Sequence, residues 1–184
     1  MRNPLRGIRV TAAVLLLGAV AFAQAARAAD VPYDVVVQYL LETVRAFRTA
    51  YVLSVVEHLR EGGIAAKEDW VKDTHAVPLP AQFVKEAGAK IESYEVSLIG
   101  LTPINRANLP KTQAEADTLV TLSTDRSKRL LTFSEGDVYK GMVADLAIVQ
   151  SCVDCHNEHP RSQWRKYRRG DVMGALVVRV KKGR

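Results

Sequence analysis

The chain has 184 residues, with 26 Lys and Arg against 20 Asp and Glu and a formal charge of +6. Arg2, Arg6, Arg9 and Arg27 account for most of that excess, so residues 29–184 carry only +2. This near-balance argues against nucleic-acid binding, and the length beyond residue 28 suits one domain with a sizeable core.

The N-terminus pairs Arg2, Arg6 and Arg9 with an apolar run from Val10 to Ala23, then offers Ala26-Arg27-Ala28 for cleavage. A charged start, a short apolar stretch and an Ala-x-Ala site predict a signal peptide over 1–28 and export to the periplasm. An uncleaved anchor is the alternative, but the run of 14 residues (10 to 23) is short against the roughly 20 needed to span a bilayer. No later segment is apolar enough to cross one, so membrane contact is expected only through a partner. Residues 161–184 hold nine Lys and Arg against Asp171 alone. That is a solvated edge or, alternatively, a dock for an acidic redox partner or anionic lipid.

Residues 32–61 show helical spacing at Val37, Leu40, Val44, Phe47, Tyr51, Val55 and His58, with Arg45, Arg48 and Glu57 among the charged residues between them. Gly62-Gly63 gives the stop. Pro78-Leu79-Pro80 marks a rigid turn before a second helix, Ala81 to Ile91. Tyr94 to Leu101 has strand character, and Pro103 to Pro110 reads as a loop. A third helix, Thr112 to Leu122, opens near a Thr112–Glu115 capping box. Arg129 to Ser134 and Val138 to Ile148 read as strands joined by a hairpin at Glu135-Gly136-Asp137, and Asp171 to Val180 is the last strand. Helices followed by strands predict an α+β domain over 29–184, with helices against one face of an antiparallel sheet.

Between the last two strands stands Cys152-Val-Asp-Cys155-His156. Two thiols three positions apart can each form a thioether to a haem vinyl group, and the adjacent imidazole can then bind the iron, so the motif predicts one covalent c-type haem. The chain has only two cysteines, which leaves no second pair for a four-thiolate zinc site. A simple disulfide is the plain alternative. His156 is the expected proximal iron ligand. For the distal side, His58 is the tentative candidate, because seven positions after Tyr51 it is expected on the same inward face. A histidine near a helix end is also favoured by the helix dipole alone. His75 is a loop candidate, His159 is too close in sequence to His156 to cross the ring, and Met142 and Met173 read more readily as core filler. Arg161, Arg165 and Lys166 are candidate propionate partners, while Trp164 and Tyr167 either cover a haem edge or pack beside it.

The stretch Cys152-Val-Asp-Cys-His-Asn-Glu-His-Pro-Arg-Ser162, with Gly170-Asp-Val-Met-Gly174 and the closing strand, resembles a family of single-haem, PAS-like sensor domains catalogued as a domain of unknown function. Ala50-Tyr51 with Val55-Val56, Val77-Pro-Leu-Pro-Ala-Gln-Phe83 and Val143-Ala-Asp145 extend the likeness from about Tyr39 to Val180. Members occur alone in exported proteins and as periplasmic parts of chemotaxis receptors, histidine kinases and cyclases. The resemblance implies a PAS-like antiparallel sheet with a long N-terminal helix and further helices packed against it. Some members take a distal cysteine from the first helix, and no cysteine beyond the attachment pair exists here to do so. Ser162-Gln-Trp-Arg-Lys-Tyr departs from the Ser-Pro and Trp-Lys pattern of relatives.

The expected function is redox or small-gas sensing by the haem, signalled through a separate protein because the chain ends soon after the last strand. The alternative is a periplasmic electron carrier. Enzyme activity is not expected, since no distal acid–base residue is evident.

Overall fold

The computed structural model describes residues 31–183. The predicted signal peptide lies outside them. Helix α1 (Tyr33–Ala50) runs without a break into a π-helical turn (Tyr51–Val56) and then into α2 (Glu57–Glu61). The expected single long helix is therefore present, with its stop at Gly62-Gly63, but a wider turn interrupts it. Among the described residues no helix is long and apolar enough to cross a membrane.

Two short strands, β1 (Ala65–Lys67) and β2 (Ala76–Pro78), pair in parallel and precede α3 (Pro80–Gly88). Their three-residue length hides them from any periodicity test. Proline opens α3 at a position where its missing N–H costs nothing, and the Gln82 side chain caps the Leu79 N–H at 2.9 Å. Strand β3 (Glu95–Ile99), helix α4 (Gln113–Thr124), β4 (Leu130–Glu135), β5 (Val138–Leu146), α5 (Gln150–Glu158) and β6 (Val172–Lys181) complete the chain. Thr112 caps α4 by accepting the Glu115 N–H. The four long strands form one antiparallel sheet in the order β3-β6-β5-β4. Gly136, at φ 58°, supplies the left-handed first position of the two-residue β4–β5 turn.

Helices cover both faces of this sheet, which corrects the one-face expectation. On one face α1 and α3 bury Val37, Leu41 and Val84 against Val96, Val143, Leu176 and Val178. On the other, α4 buries Leu119 and Leu122 against Ile99, Met142, Ala144, Ala175 and Val177. The physical reason is visible in the two central strands, where Gly141–Ala144 and Ala175–Val178 are buried at every position rather than at alternate ones. Each such Leu or Val contributes roughly 1.5–3 kcal/mol on burial. Gly141 is needed for the α1 contact, because a Cβ there would sit 2.2 Å from Val37 Cγ1 and 2.8 Å from Leu41 Cδ1.

The α4 face also buries charge. Glu115, fully buried, accepts from Arg179 Nε and Nη2 at 2.7 and 2.8 Å and from Lys140 Nζ at 2.8 Å. Lys140 also pairs with Glu135, and Arg179 with Glu95 and Ser97. These bonds overcome the cost of burial and hold the Glu115 carboxyl at about 2. At the far end, the Gly183 N–H donates to the Tyr33 hydroxyl at 2.8 Å, and the Tyr33 ring stacks on Tyr139.

The inward face of α1 differs from the predicted stripe. Val37, Leu41 and Arg48 point inward, followed by Val52 and Val56 of the π turn, while Phe47 is 66% exposed. Arg48 is buried because Asp145, near the end of β5, meets it with a 2.9 Å ion pair.

Candidate haem site

The segment between β5 and β6 leaves the sheet and returns at nearly the same point. The Ala147 N–H donates to Asp171 O and the Gly170 N–H to Ala147 O, both at 2.9 Å, which closes the excursion at its base. Within it α5 carries Cys152, Cys155 and His156, and Val153 anchors the helix as its buried residue. Both cysteines are free thiols, so the disulfide alternative is not what this geometry holds. Among the described residues no three His, Cys, Asp or Glu side chains converge as a metal-ion site.

Contacts with α2 and with the loop that follows fix α5, and the residues just after it are tied to the segment before α3. Ser151 Oγ donates to Glu57 Oε1 at 2.6 Å, tying the start of α5 to α2. Asn157 exchanges two hydrogen bonds with the Tyr167 backbone, both at 3.0 Å. The Tyr167 ring then meets His156 edge-on, with centroids 5.7 Å apart. Arg161 grips both oxygens of Glu68 at 2.5 and 2.6 Å, and Gln82 donates to Glu68 O at 2.7 Å. The Pro-Leu-Pro segment is thereby joined to the cysteine segment. Tyr51 braces the same corner, donating to Pro78 O at 2.7 Å and stacking on Phe83.

Electrostatics favour a neutral nitrogen ligand. Burial first, then the charges of Arg48 and His159, hold His156 down at about 4, so its imidazole is uncharged at neutral pH. Cys155 belongs to an exposed residue, yet partial desolvation of the sulfur pushes its thiol up, helped by Cys152, Glu68 and Glu158. Leu53, in the π turn, is half exposed.

The remaining candidates are placed elsewhere or otherwise engaged. His58 is exposed, which corrects the expectation of an inward histidine. A π turn takes more residues per revolution than an α turn, so Tyr51 and His58 no longer share a face. His75 is exposed beside Thr74, and His159 accepts the Arg161 N–H within its own loop. Met142 is fully buried in the α4 core, and Met173 lies half-buried in β6. Arg161 is committed to Glu68, and Arg165 donates to the carbonyls of His159, Pro160 and Ser162. Lys166 and Trp164 are exposed. Sequence reasoning missed Glu57, Glu68 and Arg48. None of the three left a local signal, since each acts on a group far away in sequence.

The family model described as Tll0287-like matches residues 24–181. The chain belongs to the Tll0287-like family. Among solved structures, the crystal structure of the cyanobacterial heme-protein Tll0287 is similar at a TM-score of 0.59 and 14% identity, covering 84% of this chain and 99% of that one. No curated protein matches the chain. The family-level resemblance read from the cysteine motif and its flanking segments is thus borne out, as is the α+β class with an N-terminal helix on an antiparallel sheet.

Proposed function

We propose that this member of the Tll0287-like family binds one haem covalently, through Cys152 and Cys155, with His156 on the iron. The observation that carries the reading is the donor set: two free thiols three positions apart on α5, followed at once by an imidazole held neutral. These residues suit the group, since thioether formation needs reduced thiols and iron needs an unprotonated nitrogen. The heme-protein Tll0287, similar in fold, supports it. Bound haem supplies a redox-active iron. The protein's part would be to anchor the ring through Cys152 and Cys155 and to hold the His156 imidazole edge-on to Tyr167.

The use we propose for that iron is sensing of redox state or a small gas in the periplasm, passed to a separate signalling protein, with no reaction of the chain's own. The support is that His58, His75, His159 and Met142 all lie outward, within the local loop or in the opposite core, which favours a weak or exchangeable sixth ligand. An electron carrier instead benefits from two strong ligands in both oxidation states.

Protein produced with a cytochrome c maturation system should keep its haem through denaturation and gain one haem in mass. Haem extracted by acid–acetone would overturn covalent attachment. The loaded ferrous protein should bind carbon monoxide or nitric oxide without unfolding, and His58→Ala should leave its spin state unchanged. An iron inert to both gases, with rapid electron exchange to a periplasmic partner, would decide for the carrier.

A further inference from the structure

Arg48 is an unusual residue for an inward helical position: it is only 8% exposed, and its Nε is buried without a hydrogen-bond partner. Among the described residues it is the sole buried side-chain nitrogen or oxygen in that condition. One terminal nitrogen, Nη2, holds Asp145 Oδ2 at 2.9 Å. That leaves a buried guanidinium meeting its carboxylate through one bond, where the fork geometry favours two acceptors. An unfilled buried donor of this kind is costly, the more so on a charged group. Native folds rarely leave such a donor without a purpose.

We infer that Arg48 is the propionate-binding residue of the site, its Nε–H donating to a carboxylate of the haem while Nη2 stays on Asp145. The inference rests on the haem reading and goes beyond it by naming a residue that the sequence placed among the solvent-facing charges. Three observations converge. Its partner Asp145 stands near the end of β5, the strand that leads directly into α5 and the cysteine motif. The two arginines expected in this role are consumed, Arg161 by Glu68 and Arg165 by three backbone carbonyls. Arg179, the other buried arginine, is filled by Glu115, Glu95 and Ser97 on the α4 face. A haem carboxylate is an acceptor of the right charge for the buried donor left open, and a guanidinium binds it more specifically than a lysine does.

The test compares loaded wild type with Arg48→Lys, Arg48→Gln and Arg161→Gln. Covalent haem is first verified in each by pyridine haemochrome after denaturation. Resonance Raman then reads the propionate bending band, and redox titration reads the potential. Both Arg48 variants should shift the band. Arg48→Gln should also lower the potential, because a cation near the iron disfavours the ferric state, and Arg48→Lys should lower it less. Arg161→Gln should leave the band in place. Should Arg48→Gln fail to fold because Asp145 is stranded, Arg48→Gln with Asp145→Asn removes the pair together, and the propionate band alone is then read. A band unmoved in loaded Arg48 variants overturns the inference and assigns Nε to a buried water. Wild type that carries no covalent haem overturns the haem reading itself, and this inference with it.

Discussion

Asn157 holds Tyr167 by its backbone, giving Nδ2–H to the carbonyl and taking the N–H on Oδ1, each at 3.0 Å. Ten residues of loop are thereby closed by one side chain adjacent to His156, and the tyrosine ring is set edge-on against the imidazole. Asn157→Ala removes both bonds at once. At about 1 kcal/mol each for part-buried bonds, the expected loss is about 2 kcal/mol. Chemical denaturation should show it, and limited proteolysis should find new cleavage between residues 158 and 168. A variant as stable and as resistant as wild type would mean the loop is held elsewhere.

Glu115 gives the fold an acid-sensitive joint. Its carboxyl sits at about 2 instead of the ordinary 4.5, so it favours the folded state fully above 4.5, and that contribution is lost as pH falls toward 2. Glu115→Gln leaves Lys140 and Arg179 with a diminished counter-charge and should cost about 3 kcal/mol at neutral pH. The variant's melting temperature should also vary less than wild type's across that acidic window. Parallel curves for the two proteins would refute the assignment.

Gly141→Ala places a methyl group where Val37 and Leu41 already stand. Both neighbours are fully buried, so α1 must shift from the sheet, at an expected cost of about 1–3 kcal/mol. Urea denaturation with an unchanged midpoint would show that α1 adjusts freely.

Cys155 should be a slow thiol in haem-free protein. A raised thiol holds less thiolate at neutral pH, and thiolate is the reactive form. Alkylation by iodoacetamide, followed against pH, should reach half its maximal rate above the value of a free cysteine. A midpoint at or below that value would contradict the surroundings described for the sulfur.

How much of this was legible depends on range. The thiols and imidazole needed only five adjacent residues, and the length of the first helix needed only its own periodicity. The main strands and the β4–β5 hairpin were readable within a few residues of their ends. Arg48 was not, because the group that permits its burial, Asp145, lies 97 positions away. Local patterning therefore sent the arginine out and Phe47 in. The π turn escaped because Tyr51–Val56 holds no Gly or Pro to mark it, and missing it turned His58 to the wrong side. The second covered face of the sheet was written in the unbroken apolar runs of β5 and β6, whose lack of alternation is the mark of two-sided burial.

The bond between Tyr33 and Gly183 places the two ends of the domain beside each other. Adjacent ends are what a module needs to be spliced into a surface loop of another protein without stretching its host. The domain is accordingly a ready cassette for engineering. Inserted between two fluorescent proteins, it would hold both at one doorway, so any movement of α1 against β6 becomes a change in the distance between them.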